Sequence, residues 1–216
     1  MKKDNRGLTL IELIVVIAIM AIMIAVSGFS LSMISHKRVS NNALSIKQAI
    51  QIAQTYNKSQ GNTDDVAQAA AHQRNATNAN DKKIADMQRA NGLCKLKIVG
   101  TTDDSKYPYM FIYIADKVSD LNDDSKCRIA DGSKGVIRLE KKTTIKVQYA
   151  DGTEITIGKG DWADIRLART TGGFINSNYK VGGANGNGVP VKIIVTDSDR
   201  TVTLNLATYT GVVTKD

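Results

Sequence analysis

Residues 13–26 are fourteen consecutive positions without a polar side chain. With its flanks the apolar stretch runs over residues 8–34, interrupted only by Thr9, Glu12, Ser27, Gly28, Ser30 and Ser32. As a helix that is about 40 Å, against roughly twenty residues for a bilayer core of about 30 Å. It is long enough to span a membrane and to project from it. One carboxylate, Glu12, stands at its start, where hydrocarbon depth makes a charge cost a few kcal/mol. A secretory signal peptide would use Lys2, Lys3 and Arg6 as its basic region, residues 13–26 as its apolar region and Ala25-Val26-Ser27 as its small-residue cleavage site. Against that reading stand Glu12, directly before the apolar run, and the apolar residues past Ser27: Phe29, Leu31, Met33 and Ile34.

The second reading starts from Gly7-Leu8-Thr9-Leu10-Ile11-Glu12-Leu13, preceded by a short basic leader. This segment resembles the class III leader of type IV prepilins and pseudopilins, in which Gly is followed by Phe-Thr-Leu-Ile-Glu-Leu; Leu8 replaces the Phe. The resemblance implies cleavage after Gly7 by a prepilin peptidase and N-methylation of Leu8. It also implies that Glu12 faces the free amine of a neighbouring subunit. In a low-dielectric helix bundle an unmatched amine or carboxylate is costly, whereas a matched pair is tolerated and fixes the axial stagger. The family often bends this helix at a proline; here Gly28 is the nearest substitute.

The net charge of +8 is unevenly spread. Residues 61–216 hold 22 basic and 19 acidic residues, so the globular part is nearly balanced and lacks the strong basic excess of a nucleic-acid binder. Lys141, Lys142 and Lys146 form a small basic group that reads as a solvated strand face. The leader's lysines and arginine favour an N-in, C-out orientation, an asymmetry weakened by His36, Lys37 and Arg38.

Val39, Ala43, Ile46, Ile50 and Ala53 recur at spacings of 4, 3, 4 and 3, a single apolar stripe on a stem helix. Gly61 and its neighbours are expected to end it. Residues 65–74 and 81–91 read as short helices around the Asn-rich loop 75–80, the second stopping at Asn91 and Gly92. Beyond Leu93 the pattern is strand and turn. Residues 107–114, 135–140, 143–149, 153–157, 189–196, 201–207 and 209–213 read as strands. Ala150-Asp151-Gly152 and Asp197-Ser198-Asp199-Arg200 are the hairpin turns. Residues 182–188 read as a surface loop. The ending, Thr210-Gly211-Val212-Val213, is loosely similar to the closing turn of GspH/FimT-like minor pseudopilins.

Cys94 and Cys127 are the two cysteines. Outside the cytoplasm they are candidates for a disulfide, the alternative being two unpaired thiols. With His36 and His72 they have no metal-ligand spacing, so no metal or other cofactor is implied. Asp103-Asp104 and Asp123-Asp124 are acid pairs near turns, read as solvated loops ahead of calcium ligands. The sequons Asn57-Lys58-Ser59 and Asn75-Ala76-Thr77 read as chance. No hydrolase elbow or zinc-protease motif occurs, and no enzyme is expected.

The expectation is an α+β, pilin-like chain whose long N-terminal helix packs on an antiparallel β-sheet domain. Its segments are a leader (1–7), a transmembrane or filament-core helix (8–35), an amphipathic stem (36–60), a helical variable segment (61–92) and a β-rich domain (93–216). The resemblance implies a subunit of a type IV pilus or of a secretion or competence pseudopilus. Its partners would be the prepilin peptidase, other pilin subunits, the membrane and an inner-membrane assembly platform. The alternative is an anchored or secreted binding domain, such as an adhesin or DNA-uptake receptor.

Overall fold

The computed structural model of the chain describes residues 10–59, 91–101, 108–130, 135–169, 171–197 and 200–216; within these, the side chains of residues 25–32 and 91 are not described. The helix expected at 65–74, the loop after it and all but the last residue of the helix expected at 81–91 lie outside the described residues, as do Gly7, Leu8, His72, Asp103 and Asp104.

The first element, α1 (Leu10–Ser59), is one helix of 50 residues. It continues as helix through Gly28. Its second half carries the stripe read from the sequence: Val39, Ala43, Ile46, Ile50 and Ala53 are all fully buried. Each large aliphatic side chain so covered contributes on the order of 1.5–3 kcal/mol.

The remainder is an antiparallel β-domain, giving the expected α+β fold, but with two sheets instead of one. The first sheet is built on β1 (Asn91–Val99), β2 (Tyr109–Ile114), β7 (Trp162–Ala168), β9 (Ser177–Val181) and β10 (Ala184–Gly188). The short β3 (Arg128–Ile129), β4 (Val136–Arg138) and β8 (Phe174–Ile175) complete it. Its main path runs β10-β9-β7-β1-β2-β3. The second sheet runs β13 (Val213–Lys215), β12 (Arg200–Leu206), β11 (Pro190–Asp197), β5 (Thr144–Tyr149), β6 (Glu154–Ile157). Alternation decides which face is inward: Cys94, Leu96 and Ile98 of β1 and Met110, Ile112 and Ile114 of β2 join Ile193, Val195 and Leu204 of the second sheet in one core with the helical stripe. Tyr149 of β5 and Tyr179 of β9 meet with ring centroids 4.8 Å apart, linking the two sheets.

Three readings need correction. Asn91 and Gly92 do not stop a helix; they open β1. Asn91 pairs with Ala168 of β7, and Gly92 sits where a Cβ would lie 2.4 Å from the Asn57 side chain. Residues 182–188 are not a loop but the turn and second strand of a hairpin, Ala184 pairing with Val181. Gly182 and Gly183 hold φ of 58° and 86°, the left-handed values that a two-residue hairpin turn requires. The final strand is Val213–Lys215 rather than 209–213, because Ala207 and Gly211–Val212 close a turn through Gly211 N–H to Ala207 O (2.8 Å) and Ala207 N–H to Val212 O (2.9 Å). Lys146 pairs with Glu154 across β5 and β6 (2.9 Å), so that basic group is neutralised in part within its own sheet.

Polar side chains on α1 fasten it to the β-domain. Asn57 Oδ1 accepts from the Cys94 backbone N–H (2.8 Å). Asn42 accepts from the Glu140 N–H (2.6 Å) and donates to Thr143 Oγ1 (2.7 Å). Gln54 Nε2 donates to the carbonyls of Gly172 (3.0 Å) and Gly211 (2.7 Å). Asn42 and Asn57 are themselves buried. Replacing Asn57 with Leu leaves the buried Cys94 N–H without its acceptor and is expected to cost about 1–3 kcal/mol. The full-length protein in detergent should melt at a clearly lower temperature, whereas exposed Leu44→Gln should leave the melt unchanged.

Candidate functional site: the uncovered half of the helix

The two halves of α1 have opposite surroundings. Its second half is sealed by the β-domain. In its first half, Leu10 to Ile24, the large aliphatic side chains are all exposed, from Leu10 at 77% to Val16 at 43%. That is far more contiguous apolar surface than a monomer in water leaves uncovered. Glu12 lies in the first turn, where a carboxylate is favoured by the helix dipole. No helix is long and apolar enough to cross a membrane among the described residues. The side chains of residues 25–32, which continue the run in the sequence, lie outside the described residues.

A second cluster occupies the outer face of the first sheet, away from α1. Lys95 and Lys97 alternate outward from β1, beside Asp164 and Arg166 of β7. A 3₁₀ turn, Val118–Asn122, and its neighbour Asp124–Lys126 close over them. Lys95 Nζ donates to Leu121 O (2.7 Å), Asp124 Oδ1 (2.6 Å) and Asp164 Oδ2 (3.3 Å). Lys97 Nζ donates to the other oxygen of Asp124 and sits 3.9 Å from the centre of the Trp162 ring. Burial pushes the Asp164 carboxyl above its usual range, against the pull of Lys95, Lys97 and Arg166. Asp124 is also pushed upward by burial, but its hydrogen bonds to Lys95 and Lys97 and their charges outweigh that and hold it below its usual range.

The two cysteines are not joined in the structure. Cys94 faces the core from β1, while Cys127 precedes β3, which is separated from β1 by β2. The Cys127 thiol donates instead to the carbonyls of Asp120 (3.4 Å) and Asp123 (3.5 Å). Burial, with a smaller contribution from nearby Cys127, pushes the Cys94 thiol up to about 12. Asp123 caps the second turn by accepting from Ser125 N–H, and no cluster of potential metal ligands occurs among the described residues.

Sequence reasoning placed Glu12 at the start of the exposed helix, but read Asn57 only as part of a chance sequon and passed over Lys95 and Asp164. The stripe at 39, 43, 46, 50 and 53 continues with one more step of four to Asn57, which marks that amide as inward-facing. Lys95 carries no such signal: in a strand alternating Cys94, Lys95, Leu96, Lys97 it reads as solvent-facing.

The helix is thus half buried on its own domain and half bare, with a carboxylate in the bare half and an apolar surface that the described residues do not cover. Residues 2–28 match the family model of the prokaryotic N-terminal methylation motif, and the chain thus carries the class III prepilin leader of type IV pilins and pseudopilins. That leader implies processing by a prepilin peptidase, a membrane-anchored precursor and assembly with other pilin subunits. No curated protein and no solved structure matches the chain.

Thiol labelling of the folded full-length protein at pH 8 is expected to modify Cys127 and spare Cys94. Both should label in denaturant without reductant; failure of both to do so would show that the thiols had paired.

Proposed function

We propose that the chain is a structural, non-catalytic subunit of a type IV pilus or pseudopilus. The observation that carries this reading is the bare apolar half of α1 directly following a prepilin leader. Cleavage after Gly7 leaves a charged amine on Leu8, which is then N-methylated. The processed subunit is held in the membrane with its N-terminus inward and its β-domain outward until the assembly platform moves it into a filament. There the exposed aliphatic residues from Leu10 to Ile24 exchange lipid for the same residues of neighbouring subunits. The association rests on close packing, since lipid tails are as apolar as leucine.

Glu12 supplies register in this arrangement. Its carboxylate lies one helical turn from Leu8 in the sequence, at the depth where a neighbour's terminal amine would lie after a small axial step. Pairing the two charges offsets much of the cost of bringing either into a low-dielectric bundle, and a shift of one residue would forfeit it. Glycosylation at Asn57 has no part in this reading, since that side chain is buried against β1.

Two measurements test the proposal. Mass spectrometry of the mature chain should find N-methyl-Leu8 at its start; a start at Gly28 would mean ordinary secretion. Glu12→Ala should be processed normally yet enter sheared filaments at a small fraction of the wild-type level, and wild-type incorporation of that variant would refute the pairing.

A further inference from the structure

The outer-face cluster has a feature that an ordinary surface ion pair lacks. Both the Lys95 and the Asp164 side chains are only 2% exposed. They belong to neighbouring strands, β1 and β7, where Lys95 stands opposite Arg166 and Lys97 opposite Asp164. Lys95 and Asp164 are therefore diagonal neighbours, a separation that a long side chain bridges without backbone movement. Asp164 Oδ1 is buried and has no hydrogen-bond partner among the described residues, and Arg166 Nε shares that condition. The Tyr113 ring lies 5.5 Å from Lys95 Nζ, and the turn over Leu121 shuts the amine away from solvent.

We propose that Lys95 Nζ and Asp164 Cγ condense into an intramolecular amide bond that joins β1 covalently to β7, with Asp124 as the base.

The chemistry needs no co-reactant. Lys95 is in hydrogen-bond contact with both carboxyl groups, and they differ in environment. Asp124 is about a third exposed (35%), held ionised by two lysines, and sits 2.6 Å from the amine. It takes one proton from the Lys95 ammonium and can pass it to water. The freed lone pair attacks Cγ of Asp164, which burial favours in its neutral acid form. The new C–N bond forms as the C–O bond to the hydroxyl breaks. The hydroxyl leaves as water with a proton from the attacking nitrogen. Lys95 ammonium and Asp164 carboxylic acid thus give one amide, one water and one proton, with no change of oxidation state. Arg166 Nη2, 3.8 Å from Asp164 Oδ2, is a fixed cation beside the oxygen on which charge develops during attack. Enclosure of the two groups together supplies the proximity and exclusion of water that such a condensation requires.

The product also relieves what the ion cluster leaves unsettled. The buried ammonium charge disappears, removing the desolvation cost of keeping it. One Asp164 oxygen departs, and the other remains as an amide carbonyl beside Arg166. The amide N–H retains the Leu121 carbonyl as acceptor. This inference is independent of filament assembly, because it concerns two strands of one domain.

The test is tandem mass spectrometry of a tryptic digest of the full-length protein purified in detergent. The expected result is a single branched species joining the peptides that contain Lys95 and Asp164, one water lighter than their sum, with no cleavage after Lys95. Recovery of the two peptides separately at their sequence masses overturns the proposal. So does a lost water that maps to Asp131-Gly132 or Asp151-Gly152, where an Asp-Gly pair can cyclise by itself. Asp124→Ala changes a partly exposed side chain and should abolish the branched species. If the branched species persists undiminished in that variant, Asp124 is not the base.

Discussion

The structure depends on the seal between the second half of α1 and the two sheets. The apolar stripe from Val39 to Ala53 supplies the area, and the amides of Asn42, Gln54 and Asn57 supply the alignment. Apolar contact alone would let the helix slide or rotate by small amounts with little penalty. Buried amides do not allow this, because each displaced bond strands a donor or acceptor away from water. Asn57 fixes the helix against β1 of the first sheet. Asn42 fixes it against the turn entering β5 of the second. Gln54 holds two glycine carbonyls that are far apart in sequence, at Gly172 and Gly211. The helix thereby orients both sheets relative to one another.

The other face of the first sheet is organised differently. There the side chains are charged and aromatic, and the 3₁₀ turns over residues 118–126 serve as their lid. Lys95 lies on the side that strand alternation assigns to solvent, yet it is enclosed. Its enclosure is mostly polar, with one carbonyl and two carboxyl groups around a single amine beside the Tyr113 ring. The inner face holds the domain together by area, the outer face by a few strong directional contacts.

Much of this was legible in the residues. Periodicity located the stem's buried face correctly, because a 3.6-residue repeat of Ile, Val and Ala has only one inward side. The hairpin through Ala150-Asp151-Gly152 and the strands at 144–149, 190–197 and 200–206 followed from turn chemistry and β-branched runs. The leader was legible for a different reason: it is a contiguous sequence motif, so its pattern is local. The misses share one cause. Asn91 and Gly92 read as a helix stop because the strand that Asn91 pairs with, β7 at Ala168, is distant in the chain. The strand at 184–188 is built from Ala, Asn and Gly, which carry no strand preference, and exists because Gly182 and Gly183 fold it back on β9. The division into two sheets and the covering of Lys95 arise from packing between segments, which no window of sequence contains.

The unbroken passage of α1 from its bare half to its sealed half has a mechanical consequence. A continuous helix transmits twist as well as tension, and the amide fastenings stop the domain from turning about it. Wherever the bare half is gripped, the azimuth of the whole β-domain is set by that grip. A change of a few degrees in how the bare half is seated would swing the outer sheet face, with Trp162 and its neighbours, through an arc at the domain's full radius.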